Sequence, residues 1–342
     1  MTLKAYPKIN LYLKIIDFDD NFHLLESRFC RIKGNLYDEI QILESNNGKD
    51  IIEGDFGCEV GDSTVWRALH LLREKYPKHF PPVHIKVDKK IPKGSGLGGG
   101  SADAGCVLNG IDSMFCLGLS SEELNAVAKG VGADVAFFVS NAEIAEVKGI
   151  GEKISPIYAD DDENEFEIYT PDIFCHTRAV YKQYRQMVEK QILKLSPKNM
   201  FVDFSNQQIL DIGEGLDFEA LGLGGKATKS KQTSFACERF ANIAMLNDLF
   251  APACALYPQL LEVADSLGNG WFFSGSGSSF FRVKNAKIES STRSNVESDL
   301  ESNLKSNVKS NADSSEQTNI DSSATKSNQK PLESSKPKTL FD

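Results

Sequence analysis

The chain has 342 residues, 41% hydrophobic and 25% charged, proportions that predict a folded core, and its length predicts two domains. With 38 basic against 48 acidic residues the formal charge is −10, which excludes a general affinity for nucleic acid or an anionic membrane. Any polyanion must be handled at a local site.

The opening residues are interrupted by Lys4, Lys8 and Lys14, so they lack the apolar run of a signal peptide. No window approaches the ~20 apolar residues that span a bilayer. The seven cysteines (30, 58, 106, 116, 175, 237 and 254) are scattered without a C-x-x-C pair. They read as reduced, mostly core thiols with no disulfide framework or zinc site. A soluble, cytoplasmic protein is the expectation.

Residues 5–16 alternate as a strand, with Ile9, Leu11, Leu13 and Ile15 on one face and Lys8, Asn10, Tyr12 and Lys14 on the other. Further strands are expected in 31–43 and 84–92. Between them, 62–76 carries Val65, Ala68, Leu69 and Leu72 at helical spacing behind a cap at Asp62 or Ser63. "IPKGSGLGGGSADAG" (91–105) then has six glycines in fifteen residues and leads into a helix whose apolar face is Ala104, Val107, Leu108, Ile111, Met114 and Phe115. Another helix begins at 120, where Ser120 and Glu123 form a capping box.

In the second half, "ADDDENEFE" (159–167) reads as a solvated turn before the strand 166–171. Helices are expected over 179–193 and 257–267, a surface insertion over 211–235, and a strand pair over 270–283. From 285 the chain is rich in serine and asparagine, with four-residue repeats from 294 to 313, and disorder is the expectation for 285–342.

The glycine loop satisfies G-x-G-x-x-G, yet Lys89–Lys93 separate it from the strand and no second strand with an acidic end follows, which argues against a dinucleotide fold. As a P-loop it lacks the lysine that reaches the outer phosphates. The triplet Asp55–Gly57 spells D-F-G, but it precedes the glycine loop and no H-R-D segment exists, so it reads as coincidence. What remains is backbone N–H groups and a helix N-terminus presented to an anion.

Three segments in order, "YPKINLYLKI" (6–15), "PKGSGLGGGSADA" (92–104) and "FSGSGSSFF" (273–281), resemble the motifs of the GHMP small-molecule kinases. P-K-I-N-L at 7–11, F-H-L-L at 22–25, G-A-D-V at 132–135 and N-D-L at 247–249 narrow the resemblance to the 4-diphosphocytidyl-2-C-methyl-D-erythritol kinases, over about residues 4–284. The resemblance implies a two-domain α+β fold. Residues 1–153 would form the N-terminal ATP-binding domain, ribosomal-protein-S5-like with a left-handed β-α-β unit. Residues 154–284 would form the C-terminal α+β domain, with the disordered tail beyond.

It also implies transfer of the ATP γ-phosphate to the 2-hydroxyl of the cytidine-diphosphate substrate, with Mg²⁺. Asp134 matches the catalytic base, and Lys8 the strand lysine that keeps it ionised and offsets phosphoryl charge. Asn10 is matched to the substrate polyol. Pro92, Lys93, Gly94, Ser95, Gly96, Leu97, Gly98, Gly99, Gly100, Ser101 and Ala102 are matched to ATP; the ligand of the metal stays open, with Ser101 as the candidate. Phe22 and Tyr181 match the aromatics that stack on cytosine, His23 the residue that reads the base, and Thr177 a hydrogen-bonding neighbour. Ala136 stands where the family commonly has proline. The partner is a small molecule, with no nucleic acid, membrane or obligate protein partner. Two alternatives stay open: a GHMP kinase for homoserine, mevalonate or a sugar, and an inactive nucleotide-binding scaffold.

Overall fold

A strand whose two faces are both buried forms the middle of this protein. In the computed structural model β2 (Lys8–Phe18) buries Lys8, Asn10, Tyr12 and Lys14 along with its apolar residues. Alternation of apolar and polar residues ordinarily leaves one face of a strand in water. Instead β2 sits between packed layers, with Leu13 and Ile15 in one core and Ile9 and Leu11 in another.

The structure describes residues 1–18, 22–158, 165–198, 240 and 243–284, all within one compact unit spanning 1–285. Most of the acidic turn, the 211–235 insertion and the 285–342 tail lie outside the described residues.

Three sheets are present among the described residues. The first contains β1 (Thr2–Ala5), β4 (Asp38–Glu44), β5 (Ile51–Gly54) and β6 (Val83–Asp88) in the order β1-β4-β6-β5. Its only parallel pair is β5 with β6, joined through α1 (Thr64–Lys75), which makes a β-α-β unit. The second sheet is antiparallel, in the order β2-β3-β7-β8, with β3 (His23–Arg31), β7 (Ile144–Gly149) and β8 (Lys153–Ile157). The third holds β9 (Phe166–Tyr169), β10 (Phe272–Phe273) and β11 (Phe280–Val283) in the order β10-β11-β9.

Helices α1, α2 (Gly99–Met114), α3 (Ser121–Val131) and α4 (Val135–Val139) share one apolar core with the first two sheets. The expected face of α2 is buried at Ala104, Val107, Leu108 and Ile111 and partly buried at Met114 and Phe115. Ser63 caps α1, accepting from the Trp66 amide at 3.1 Å. Ser120 and Glu123 form the reciprocal capping box at 2.9 and 3.2 Å. α4 has only five residues, too short to persist by propensity, and every one is buried. At roughly 1.5–3 kcal/mol per fully buried large apolar side chain, burial holds it.

In the second half, α5 (Thr177–Glu189), α6 (Phe250–Leu256) and α7 (Gln259–Leu267) pack with β10, β11 and the far end of β2. The helix expected over 179–193 begins two residues earlier and stops at Glu189, before Gln191 turns to φ +60°. Among the described cysteines, Cys30, Cys175 and Cys254 are buried and Cys106 packs against the core, whereas Cys58 and Cys116 are exposed. No helix among the described residues is long and apolar enough to cross a membrane.

Candidate active site

β2 does not alternate regularly. Asn10 pairs with Phe29 but Tyr12 with Arg28, so Leu11 is an inserted residue, a β-bulge. A one-residue slip exchanges faces. Lys8 and Asn10 precede the bulge and line a cavity of about 650 Å³, and beyond it Leu13 lines that cavity too. Tyr12 instead bonds Glu146 at 2.5 Å, and Lys14 bonds Asp248 at 2.8 Å.

The Lys8 side chain is only 4% exposed, which removes the ordinary reading of a strand lysine as a solvated edge residue. Its Nζ donates to Asn10 Oδ1 at 2.5 Å and to the Gly96 carbonyl at 3.1 Å, and lies 3.6 Å from Asp134 Oδ2. Burial pulls its pKa below the usual lysine value, and the Asp134 carboxylate opposes that pull. Asp134 starts α4 but its side chain makes no capping bond there, and it is 31% exposed. A carboxylate on the cavity wall beside a buried ammonium can take a proton from a hydroxyl held between them.

Opposite, the glycine loop ends in Gly98 at the N-terminus of α2, with φ +71°. A Cβ on Gly98 would come 3.1 Å from Lys8 Cε. Gly96, at φ +76°, is tighter still: a Cβ there would stand 2.3 Å from the Ser274 carbonyl and 2.9 Å from that of Gly277. The second and third glycine segments therefore touch backbone to backbone. Ser279 N donates to Ser95 O at 2.9 Å, and Cys175 N to Gly94 O at 3.2 Å.

Asn247 locks the third segment, its Nδ2 reaching the carbonyls of Phe273 and Gly275 at 2.9 Å each. Asp248 fastens the same turn to β2, accepting the Ile15 amide at 2.7 Å. N-D-L was noted in the sequence as a signature without a role; these bonds are what the two polar residues do.

Of the residues matched to ATP, Pro92, Lys93, Gly94, Ser95, Gly96, Gly98, Gly99, Gly100 and Ser101 line the cavity. Leu97 and Ala102 do not: their side chains are buried in the core behind the loop. Phe22, His23, Thr177 and Tyr181 line the same cavity. The His23 ring lies 5.0 Å from that of Tyr181, and Phe22 is 53% exposed. Thr177 shares a hydrogen bond with Ser276 of the third glycine segment at 2.9 Å.

Sequence reasoning missed several wall residues. Phe56 and Gly57, dismissed with Asp55 as a chance triplet, line the cavity with Cys58 and Thr64. Asp55 holds Lys93 at 2.5 Å, an ion pair between the loop after β5 and the glycine loop. Lys89 and Asp103 also reach the wall. Lys89 bridges the buried carboxylates of Asp38 and Asp103, 2.6 Å from the latter. Burial, and the nearby Asp38 charge, push the Asp103 carboxyl up to about 7 against the pull of Lys89.

The family model for the GHMP kinases N terminal domain matches residues 63–142, from the α1 cap through α4. The chain is 34% identical over 291 residues to the 4-diphosphocytidyl-2-C-methyl-D-erythritol kinase of Helicobacter acinonychis (strain Sheeba), covering 82% of this chain and 96% of that one. It is 35% identical to the enzyme of that name from Sulfurovum sp. (strain NBC37-1), covering 83% and 99%. A crystal structure of 4-(cytidine 5'-diphospho)-2C-methyl-D-erythritol kinase matches with a TM-score of 0.55 and 25% identity over 83% of this chain and 90% of that one. A mevalonate kinase structure shares the fold alone, with a TM-score of 0.52 at 13% identity, over 85% of this chain and 93% of that one. With such identity along nearly the whole length of these relatives, the chain belongs to the 4-diphosphocytidyl-2-C-methyl-D-erythritol kinase family of the GHMP kinases.

Proposed function

We propose that this kinase transfers the γ-phosphoryl group of ATP to the 2-hydroxyl of 4-diphosphocytidyl-2-C-methyl-D-erythritol, a step towards isoprenoid precursors. The observation that carries the reading is that one cavity is walled by a glycine loop at a helix N-terminus, by Lys8 and Asp134, and by Phe22, His23 and Tyr181.

Phosphoryl transfer depends chiefly on positioning and charge stabilisation, and the walls divide that work. The α2 N-terminus and the loop amides hold the phosphates. Asp134 accepts the hydroxyl proton as the oxygen attacks phosphorus. Lys8, held by Asn10 and Gly96, pairs with Asp134 and offsets charge on the moving group. Asn10 is oriented by its Nδ2 bond to Ser27 at 3.0 Å and faces the polyol. His23 and the flanking rings take the cytosine.

The wall offers Mg²⁺ a hard oxygen donor at Ser101. The ion, held in part by Ser101, would neutralise charge on the phosphates.

The test is ADP release with this substrate beside homoserine, mevalonate and galactose, for wild type, Asp134→Ala and His23→Ala. Turnover is expected with the cytidine substrate alone. Asp134→Ala should lower kcat by about 10²–10⁴-fold, the usual range for a general base. His23→Ala should chiefly raise KM. Turnover of another alcohol, indifferent to His23, would remove the cytosine site; ATP binding without turnover of any alcohol would favour a scaffold.

A further inference from the structure

In the reaction proposed above, the hydroxyl that accepts the phosphoryl group sits on a carbon that also carries a methyl group. That methyl is one bond angle from the reacting oxygen. Wherever Asp134 and Lys8 hold the hydroxyl, the wall beside them meets a methyl as well. An enzyme whose wall there is wet or polar would gain nothing from it.

Among the apolar residues lining the cavity, three connect to Asp134 or Lys8, by ring contact, by sequence or through the packing of Gly151 on Ala133. Phe29 is one, but its ring is 1% exposed and already carries the Lys8 ammonium at 4.8 Å. Ala133 is the second, adjacent in sequence and small. The third is Ile150, half-buried and lining the same cavity.

Its position is set by an unusual turn between β7 and β8. Gly149 and Gly151 both have positive φ, +75° and +114°, which side chains adopt with strain. Gly151 is packed so closely on Ala133 that a Cβ would stand 2.9 Å from the alanine Cβ. The Ile150 amide is tied down by Glu152 Oε2 at 2.7 Å, and Gly149 pairs with Leu25, another residue of the cavity wall. The turn therefore packs its Gly151 backbone against Ala133, the residue next to Asp134, while Ile150, one position earlier, lines the same cavity as both.

We infer that Ile150 is the specificity residue that recognises the methyl group on the reacting carbon. The inference rests on the substrate assignment above and deepens it: the enzyme selects a tertiary alcohol as well as a cytosine.

The experiment compares kcat/KM for the cytidine-diphosphate ester of 2-C-methylerythritol with that of the erythritol ester lacking the methyl, for wild type, Ile150→Ala and Ile150→Val. Each ratio is taken within one protein preparation, so a partly unfolded variant cancels out. Wild type should prefer the methylated ester by roughly 10-fold or more, the usual worth of one methyl in an apolar pocket. Ile150→Ala should bring the ratio to within about threefold of unity, and Ile150→Val should keep most of the preference. Equal use of both esters by wild type, or an unchanged ratio in Ile150→Ala, would overturn the role of Ile150 while leaving the substrate assignment standing. Turnover of neither ester by wild type would overturn both.

Discussion

Placing an alanine at Gly96 tests whether the two glycine segments act as one unit. The backbone at 96 has φ +76°, which an L-residue adopts at a cost of roughly 1–2 kcal/mol. The added Cβ would also stand 2.3 Å from Ser274 O, 2.9 Å from Gly277 O and 3.0 Å from Gly277 N. All three are backbone atoms, so no side chain can swing away, and overpacking of this kind costs about 1–3 kcal/mol. Together the loss is about 2–5 kcal/mol. At roughly 2–4 °C per kcal/mol for a domain of this size, the melting midpoint should fall by about 4–20 °C. The Gly96 carbonyl is also an acceptor for Lys8 Nζ, so pushing the loop outwards should reduce kcat along with ATP affinity. Gly34→Ala is the control: nothing lies within 4 Å of its added Cβ, and it should melt and turn over like wild type. The assay is a thermal melt with and without ATP, followed by kcat and KM. A Gly96→Ala protein that melts within 1 °C of wild type and keeps its kcat would refute the backbone-to-backbone contact, since that contact has no way to relax quietly.

Asn247→Ala removes donors from the carbonyls of Phe273 and Gly275 and the acceptor of the Leu249 amide, all buried, at about 1–3 kcal/mol for each group left unpaired. A melt should show the loss, and an unshifted midpoint would mean the clamp is dispensable. Because burial lowers the Lys8 pKa, the lysine deprotonates as pH rises at a lower pH than an exposed lysine does. The alkaline limb of kcat should accordingly fall below the ordinary lysine range near 10.4, as a pH–rate profile would show. Asp103 is shifted the other way, to about 7. Its folded state holds the proton that the unfolded chain releases near 3.9, so its contribution favours folding at low pH and fades as pH rises from about 4 to 7. Asp103→Asn should therefore lose less stability than wild type between pH 5 and pH 8, read from melting midpoints at the two values.

Much of this protein could be read locally. Ser120 with Glu123 announces a helix start because both partners lie within four residues, and the structure shows both bonds. The α2 face from Ala104 to Ile111 follows from helical spacing alone. The order of the three glycine and lysine segments pointed to the family because each segment is short and specific in its residues. Tertiary structure decided what local pattern could not. The bulge at Leu11 changes which residues of β2 face the cavity, and it depends on pairing with β3. Phe56 and Gly57 looked like coincidence because their relation to the glycine loop runs through Lys93, 38 residues from Asp55. Asn247 acts on carbonyls 26 and 28 residues away. Ile150 is an ordinary apolar residue in the sequence, and only the packing of Gly151 on Ala133 brings its turn beside Asp134. Backbone hydrogen bonds and helical faces are set by neighbours a few residues apart, whereas the walls of a cavity are chosen by which distant segments the core forces together.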